Sequence, residues 1–200
     1  MTNPLKPYSQ ACENNKGPIL EVLLEAFAPC QSVLEVGSGT GQHAAFFTPR
    51  MPWLRWQTSD LPGNHAAIRN WLLDAPDNAL APLALDVRNR PWPQRGNFDA
   101  LFSANSLHIM AWEAVEDVFA GAGEVLAARS IIAIYGPFNY GGRYTSDSNA
   151  RFDRWLQAQD AASGIRDFEA VDSLAVAAGF QLQRDCDMPA NNRLLVWRRG

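Results

Sequence analysis

Apolar and polar positions alternate in blocks along the chain. Pro18 suits the first turn of a helix, and Ile19, Leu20, Val22, Leu23, Leu24 and Phe27 repeat on one helical face before Pro29 ends the pattern. A short apolar run at 32–36 has the length of a buried strand. A helical pattern follows through His43, Ala44, Phe46 and Phe47 to Thr48. Further strand-like runs stand at 54–58, 81–85, 98–103 and 130–135, and helical patterns at 65–74, 112–127, 148–160 and 168–178. Runs at 180–186 and 193–198 close the chain with no helix between them and read as a hairpin. Residues 1–16 are polar, with two prolines and three asparagines, and read as an extended arm.

Strands that alternate with helices predict an α/β fold, a mostly parallel sheet with helices on both faces. The terminal pair adds an antiparallel strand to it. In such sheets ligands sit at the carboxyl ends of the strands, near the topological switch point. The 200 residues fit a single domain, 1–200, and 47% apolar residues suffice for a sizeable core. A long polar loop at 136–147 carries three glycines and several aromatics. Its length points to a lid or a substrate platform. Its Ser-Asp-Ser-Asn end equally suits a helix cap.

Charge narrows the partners. The net charge is -4 and there is no Lys/Arg run, which gives no support to nucleic-acid binding by bulk electrostatics. Cys12, Cys30 and Cys186 form no C-x-x-C pair, so neither a disulfide framework nor a structural zinc site is expected, and no metal is. No apolar run has the length of a membrane span and no signal pattern opens the chain, so a cytoplasmic protein is expected.

The chemistry concentrates at Val33-Leu34-Glu35-Val36-Gly37-Ser38-Gly39-Thr40-Gly41. A strand runs into three glycines spaced two apart, the backbone of a turn that a ligand can approach closely. A dinucleotide fingerprint would want a small residue at position 42, where Gln42 stands. The pattern E-x-G-x-G-x-G instead resembles motif I of the class I S-adenosylmethionine (SAM) methyltransferases. That resemblance implies a Rossmann-like fold of seven strands and a site for SAM, whose methionine carboxylate would lie at the glycine turn near the helix N-terminus.

On this resemblance the acidic residues acquire roles. Asp60 follows the second strand and looks like a bidentate ribose ligand, although Ser-Asp-Leu-Pro-Gly also reads as a turn. Leu61 would touch the adenine. Asp86, with Val87 beside it, resembles the residue that contacts the adenine amino group, and reads alternatively as a loop cap. Glu35 would meet the methionine end of SAM or simply shape the turn as a hydrogen-bonded acid. Gly37, Ser38, Gly39 and Gly41 form the cradle, Asn105 follows the fourth strand at the methionine pocket, and Asn15 of the arm would approach the methionine end. His108 and Tyr144 are candidates for a general base, His108 because its ordinary pKa lies near neutrality. His108 reads equally well as a structural hydrogen bonder. Tyr135, Asn139, Arg143, Asn149, Arg166 and Asn191 lie in segments that could face a substrate. Asn191 reads more simply as a turn residue.

The segments ENNKGPIL, VLEVGSGTGQHAAFF, WQTSD, NSLHIMAWEA, YGPFNYGGRYTSDSNARFDRWL, GIRDFEAV and MPANN together resemble the methyltransferase-like 26 family. That resemblance implies SAM-dependent methyl transfer, with S-adenosylhomocysteine (SAH) as product, and names no acceptor. The acidic balance and the aromatic loop point to a small molecule. A non-catalytic SAM/SAH-binding module or partner subunit is the alternative. The oligomeric state is not legible.

Overall fold

The computed structural model describes residues 6–93 and 98–200. Helix α1 (Gln10–Ala26) opens the fold. Then come β1 (Ser32–Val36), α2 (Gln42–Phe47), β2 (Arg55–Asp60), α3 (His65–Leu72), β3 (Ala79–Ala84), β4 (Phe98–Ala104) and α4 (Trp112–Val125). The second half holds β5 (Leu126–Gly136), β6 (Phe138–Asn139), α5 (Asp147–Gln159), β7 (Arg166–Asp167), α6 (Phe168–Ala177), β8 (Phe180–Met188) and β9 (Asn192–Arg199).

Seven strands form one sheet in the order β3-β2-β1-β4-β5-β9-β8. β1 pairs in parallel with β2 and β4, and the order reverses between those two neighbours. β9 enters antiparallel to both β5 and β8, which is the expected departure of the terminal hairpin. Side chains alternate across the sheet, so both faces are buried. Val33, Ile131, Ala133 and Val196 face α1 and α2, with Ile19, Leu23, Phe27 and Phe47. Leu34, Ile132, Ile134 and Trp197 face α4 and α6, with Val115, Phe119, Val171 and Ala175.

Two expectations change. Residues 1–5 of the arm lie outside the described residues, and its remainder is not all extended: α1 begins at Gln10, well before Pro18. The Ser9 hydroxyl accepts from the Cys12 amide at 3.3 Å and Glu13 stands in the first turn, the local signals for a helix start. Pro18 therefore lies inside the helix, a placement that costs about 3 kcal/mol. Ile19, Leu23 and Phe27 are fully buried, and at about 1.5–3 kcal/mol each their burial outweighs that cost. Second, β2 runs on through Asp60 because Ser59 and Asp60 pair with Leu83 and Ala84 of β3.

The 136–147 loop is tied down at several points. β6 pairs in parallel with β7, and Tyr140 bridges to Arg143. The Tyr140 ring stacks on Phe168 with centroids 5.2 Å apart, and its hydroxyl donates to Asp185 at 2.8 Å. Stacking and this hydrogen bond hold the loop against α6 and β8.

Candidate cofactor and active site

At the carboxyl ends of β1, β2 and β4 lies a cavity of about 520 Å³. It occupies the switch point, where open α/β sheets bind their ligands. Its volume is in the usual range for a small-molecule site.

The glycine turn forms its floor. Gly37, Gly39 and Gly41 have φ of 74°, 58° and 88°, a left-handed backbone that other residues adopt at a cost. The three glycines have different surroundings. A Cβ on Gly37 would stand 2.6 Å from the Ser106 hydroxyl, and one on Gly41 would stand 2.9 Å from the Ile68 Cα. A Cβ on Gly39 would meet nothing within 4 Å, because that position opens into the cavity. Gly41 thus serves the close packing of α2 against α3 and is not a lining residue.

Glu35 bolts the turn from below. Its Oε2 accepts from the Ser38 hydroxyl at 2.8 Å and from the Trp56 indole at 3.0 Å. The Ser59 carbonyl accepts from the amides of Gly37 and Ser38. Glu35 is buried and does not line the cavity. Burial pushes its carboxyl up to about 7, against the two hydrogen bonds that favour the ionised form.

Asp60, unlike Glu35, is a carboxylate that faces the cavity. Its Oδ2 accepts from the Gly39 amide at 2.7 Å. Its Oδ1 accepts from the Leu61 amide at 2.7 Å and the Asn64 side chain at 2.8 Å. The His65 ring donates to the Asp60 carbonyl at 3.1 Å. Asp60 therefore sets the shape of the turn and presents its remaining lone pairs to the cavity.

Asp86 and Val87 line the next wall, after β3. Arg88 forks onto Asp86 at 2.9 and 2.7 Å, and this ion pair holds the Asp86 carboxyl below the usual range. The Trp92 indole donates to the Val87 carbonyl at 3.0 Å and lies against Gly121 of α4, which anchors the segment. Leu61, Ile109, Met110 and Ala114 give the cavity its apolar wall, and Asn105 sits at the end of β4 with φ 56°.

The arm closes the remaining side. Gln42 accepts from the Ser9 amide at 2.5 Å, and its side-chain nitrogen donates to the Ser9 carbonyl at 3.4 Å. The Trp71 indole donates to the Pro7 carbonyl at 2.5 Å. Gln42, which departs from the dinucleotide pattern, is thus the residue that ties the arm to the glycine turn. Ser9, Ala11 and Cys12 consequently line the cavity. Asn15 lies behind them, with its Oδ1 2.7 Å from His43 Nε2. An amide oxygen only accepts, so His43 Nδ1 is left to face the Cys12 thiol at 3.8 Å. Burial and the nearby Lys16 ammonium push His43 down to about 4, so the ring is neutral.

The residues expected at the cofactor thus divide. Gly37, Ser38, Gly39, Asp60, Leu61, Asp86, Val87 and Asn105 line the cavity, while Asn15, Glu35 and Gly41 support it from outside. Ser9, Cys12, Thr40, Asn64 and Met110 are sequence-silent members, since nothing local distinguishes them from ordinary cap, helix or loop residues.

None of the residues expected at a base or a substrate lines this cavity. His108 is buried, edge-on to Phe152 at 5.5 Å and beside Gly136. Burial and then the Arg166 guanidinium push it down to about 4. The Tyr144 hydroxyl donates to Asp153 at 2.7 Å, which holds the phenol above its usual range and makes it a poor base. Tyr135 is buried against Asn15 and Asn192. Asn149 donates to Thr145 and to the Asn191 carbonyl, and Asn191 to Ser148, in a knot at the head of α5. Arg143 is exposed in its turn, and Asn139 Oδ1 is buried with no described partner. Arg166 directs Nε and Nη2 to backbone carbonyls. Among the described residues no cluster of side chains could hold a metal ion, and no helix is long and apolar enough to cross a membrane.

A family model described as a protein of unknown function (DUF938) matches residues 6–199. An O-methyltransferase family protein from Burkholderia thailandensis superposes with TM-score 0.79 at 20% identity, over 92% of this chain and 56% of its own. An O-methyltransferase family 2 protein from Planctomyces limnophilus, in complex with apigenin, gives 0.83 at 15% identity, over 95% and 58%. PigF, solved with SAH, gives 0.76 at 17% identity, over 92% and 61%. These likenesses establish the fold. The chain spans little more than half the length of the solved structures it matches.

Proposed function

We propose that this chain, which belongs to the DUF938 family of proteins of unknown function, is a SAM-dependent methyltransferase acting on a small-molecule acceptor. The observation that carries this reading is one cavity bounded by the glycine turn, Asp60 and Asp86, with Gly39 open toward it. The residues suit the cofactor: a Cβ at Gly39 would fill the very space the turn leaves free. Asp60 would accept the ribose hydroxyls, and Leu61 and Met110 would flank the adenine. Asp86 and Val87 would meet its edge, and the turn would receive the methionine carboxylate. SAM, when bound, supplies an electrophilic methyl group for direct displacement by a nucleophile. The fold shared with PigF, whose structure contains SAH, supports the same cofactor. The finer identification with the methyltransferase-like 26 family rests on the segments of shared sequence.

The protein's own part is positioning and exclusion of water. The arm over Ser9–Cys12 shields the reacting region. His108 stands next to the wall residues Ile109 and Met110 rather than on the cavity wall itself; its ring, kept neutral by burial and by Arg166, is the group we assign to take a proton from a hydroxyl acceptor that extends beyond the SAM cavity. Net charge -4 and the apigenin bound by the Planctomyces relative support a small organic acceptor over a nucleic acid. The three free cysteines suit a reducing, cytoplasmic setting.

A second reading is a SAM/SAH-binding module without turnover. It is favoured by the placement of His108 and Tyr144 off the cavity wall. Calorimetric titration with SAM, SAH and NAD tests the cofactor. SAM and SAH are expected to bind the native chain and not Gly39→Val, while NAD binds neither. Equal SAH affinity in Gly39→Val would overturn the cradle assignment. Turnover in an acceptor screen then separates the enzyme from the module.

A further inference from the structure

Four successive carbonyls of the segment that carries His108 are caught by the turn between α5 and α6. Arg166 Nε donates to the Leu107 carbonyl at 3.1 Å. The Gly164 amide donates to the His108 carbonyl at 2.9 Å. The Ser163 hydroxyl donates to the Ile109 carbonyl at 2.8 Å. Arg166 Nη2 donates to the Met110 carbonyl and also to the Ala162 carbonyl. The turn is itself held by one buried carboxylate. Asp153 Oδ1 accepts from the Ile165 amide at 2.6 Å, and Oδ2 accepts from Tyr144 and Gln157 at 2.7 and 2.9 Å. Residues far apart in sequence thus converge on one short loop, and the His108 ring it carries lies edge-on to Phe152.

We propose that Arg166 and Asp153 are positioning residues for His108, a clasp that orients the imidazole through its backbone. This inference rests on the reading of His108 as the proton acceptor. A planar guanidinium that forks onto carbonyls of one loop fixes the loop geometrically, and a half-buried cation beside a ring disfavours its charged form. The charged groups around the ring are few. Arg166 acts on His108 directly, while Asp153 and Glu113 act on Arg166. Removing the guanidinium removes both the clamp and the repulsion. Arg166→Met should release the loop and let the ring protonate more easily. Arg166→Lys should keep the charge and lose the fork. Ser163→Ala should remove one clasp bond and keep the charge.

The experiment is a histidine-ring NMR titration of the full chain, native and in the three variants, with His108→Gln to assign the signal. His43 and His65 serve as internal references, and SAH calorimetry runs on the same samples. In Arg166→Met the His108 midpoint is expected to rise part of the way toward the ordinary histidine value, because burial, the larger cause of its depression, remains, with His43 unmoved. In Arg166→Lys the midpoint should stay near the native one while the signal broadens. Ser163→Ala should broaden it alone, and it carries the test should Arg166→Met fail to fold. A His108 midpoint and line width unchanged in Arg166→Met and Arg166→Lys, or an unchanged line width in Ser163→Ala when Arg166→Met does not fold, would overturn the proposal. Absence of SAH binding in the native chain would instead overturn the cofactor reading and leave the clasp result standing.

Discussion

Replacing Asp60 by Asn tests the site where structure and binding meet. The Asp60 carboxylate accepts three protein hydrogen bonds, two from backbone amides and one from Asn64. Two carboxylate oxygens offer about four lone-pair positions, so one is open, and a second opens if the Asn64 side chain turns away. That leaves room for two ribose hydroxyls. An amide cannot reproduce this arrangement. Its oxygen can face either Gly39 or Leu61, and its NH₂ then points at the other backbone donor. An N–H left unpaired costs about 1–3 kcal/mol, and hydrogen bonds to a charged group contribute about 1.5–3 kcal/mol each. Losing the charge-assisted ribose contacts should therefore cost about 3 kcal/mol of SAH affinity, about 100-fold. The unpaired amide should lower the melting temperature by about 2–12 °C for a chain of this size. Calorimetry with SAH and a thermal melt read the two effects separately. If Asp60→Asn binds SAH within a few-fold of the native chain, Asp60 is a turn residue alone. If it also melts normally, the hydrogen bonds to Gly39 and Leu61 contribute nothing measurable.

Two other perturbations set one physical effect against another. Gly121→Ala lies within α4, where alanine ordinarily gains about 1 kcal/mol, but the new Cβ would stand 2.2 Å from the Trp92 ring. The clash should win, destabilising the fold by about 1–3 kcal/mol and weakening SAH binding through the Val87 segment; a stabilised variant with native affinity would contradict this. Glu35→Gln keeps an acceptor for Trp56 and Ser38 and removes a titration. The native Glu35 carboxyl is pushed from 4.5 up to about 7, so its stabilising share is full below about 4.5 and is lost as pH rises through about 7. The total is about 3 kcal/mol. His43 and His108, pushed down to about 4, run the other way, gaining stability as pH rises from about 4 to the ordinary histidine value. The stability of the native chain minus that of Glu35→Gln, measured by denaturant melts from pH 4 to 8, should therefore fall with pH, and a flat difference would show that Glu35 titrates normally.

The seven strands of the main sheet, the helices between them and their order follow from patterns a few residues long, so the sequence alone determined them, whereas the short β6–β7 pair has no such pattern. Strand runs at 32–36 and 98–103, the glycine turn and the terminal hairpin stand where the periodicity places them. So do the carboxylates at the strand ends. The start of α1 was also written locally, in Ser9 and Glu13, but Pro18 is the louder signal in sequence and drew the boundary too late.

The tertiary structure alone decided which of these groups face the cavity. Glu35 and Asp60 both end strands beside the same turn, yet Glu35 points beneath it to Trp56 while Asp60 points into the open space. Gly39 and Gly41 share one motif, and only the packing of Ile68 against Gly41 separates cradle from contact. The Asp153–Arg166 clasp joins segments some fifty residues from His108, and no short pattern encodes it. Periodicity reports whether a position is buried. What lies opposite it depends on how distant elements pack, and the chemistry of this site resides in those pairings.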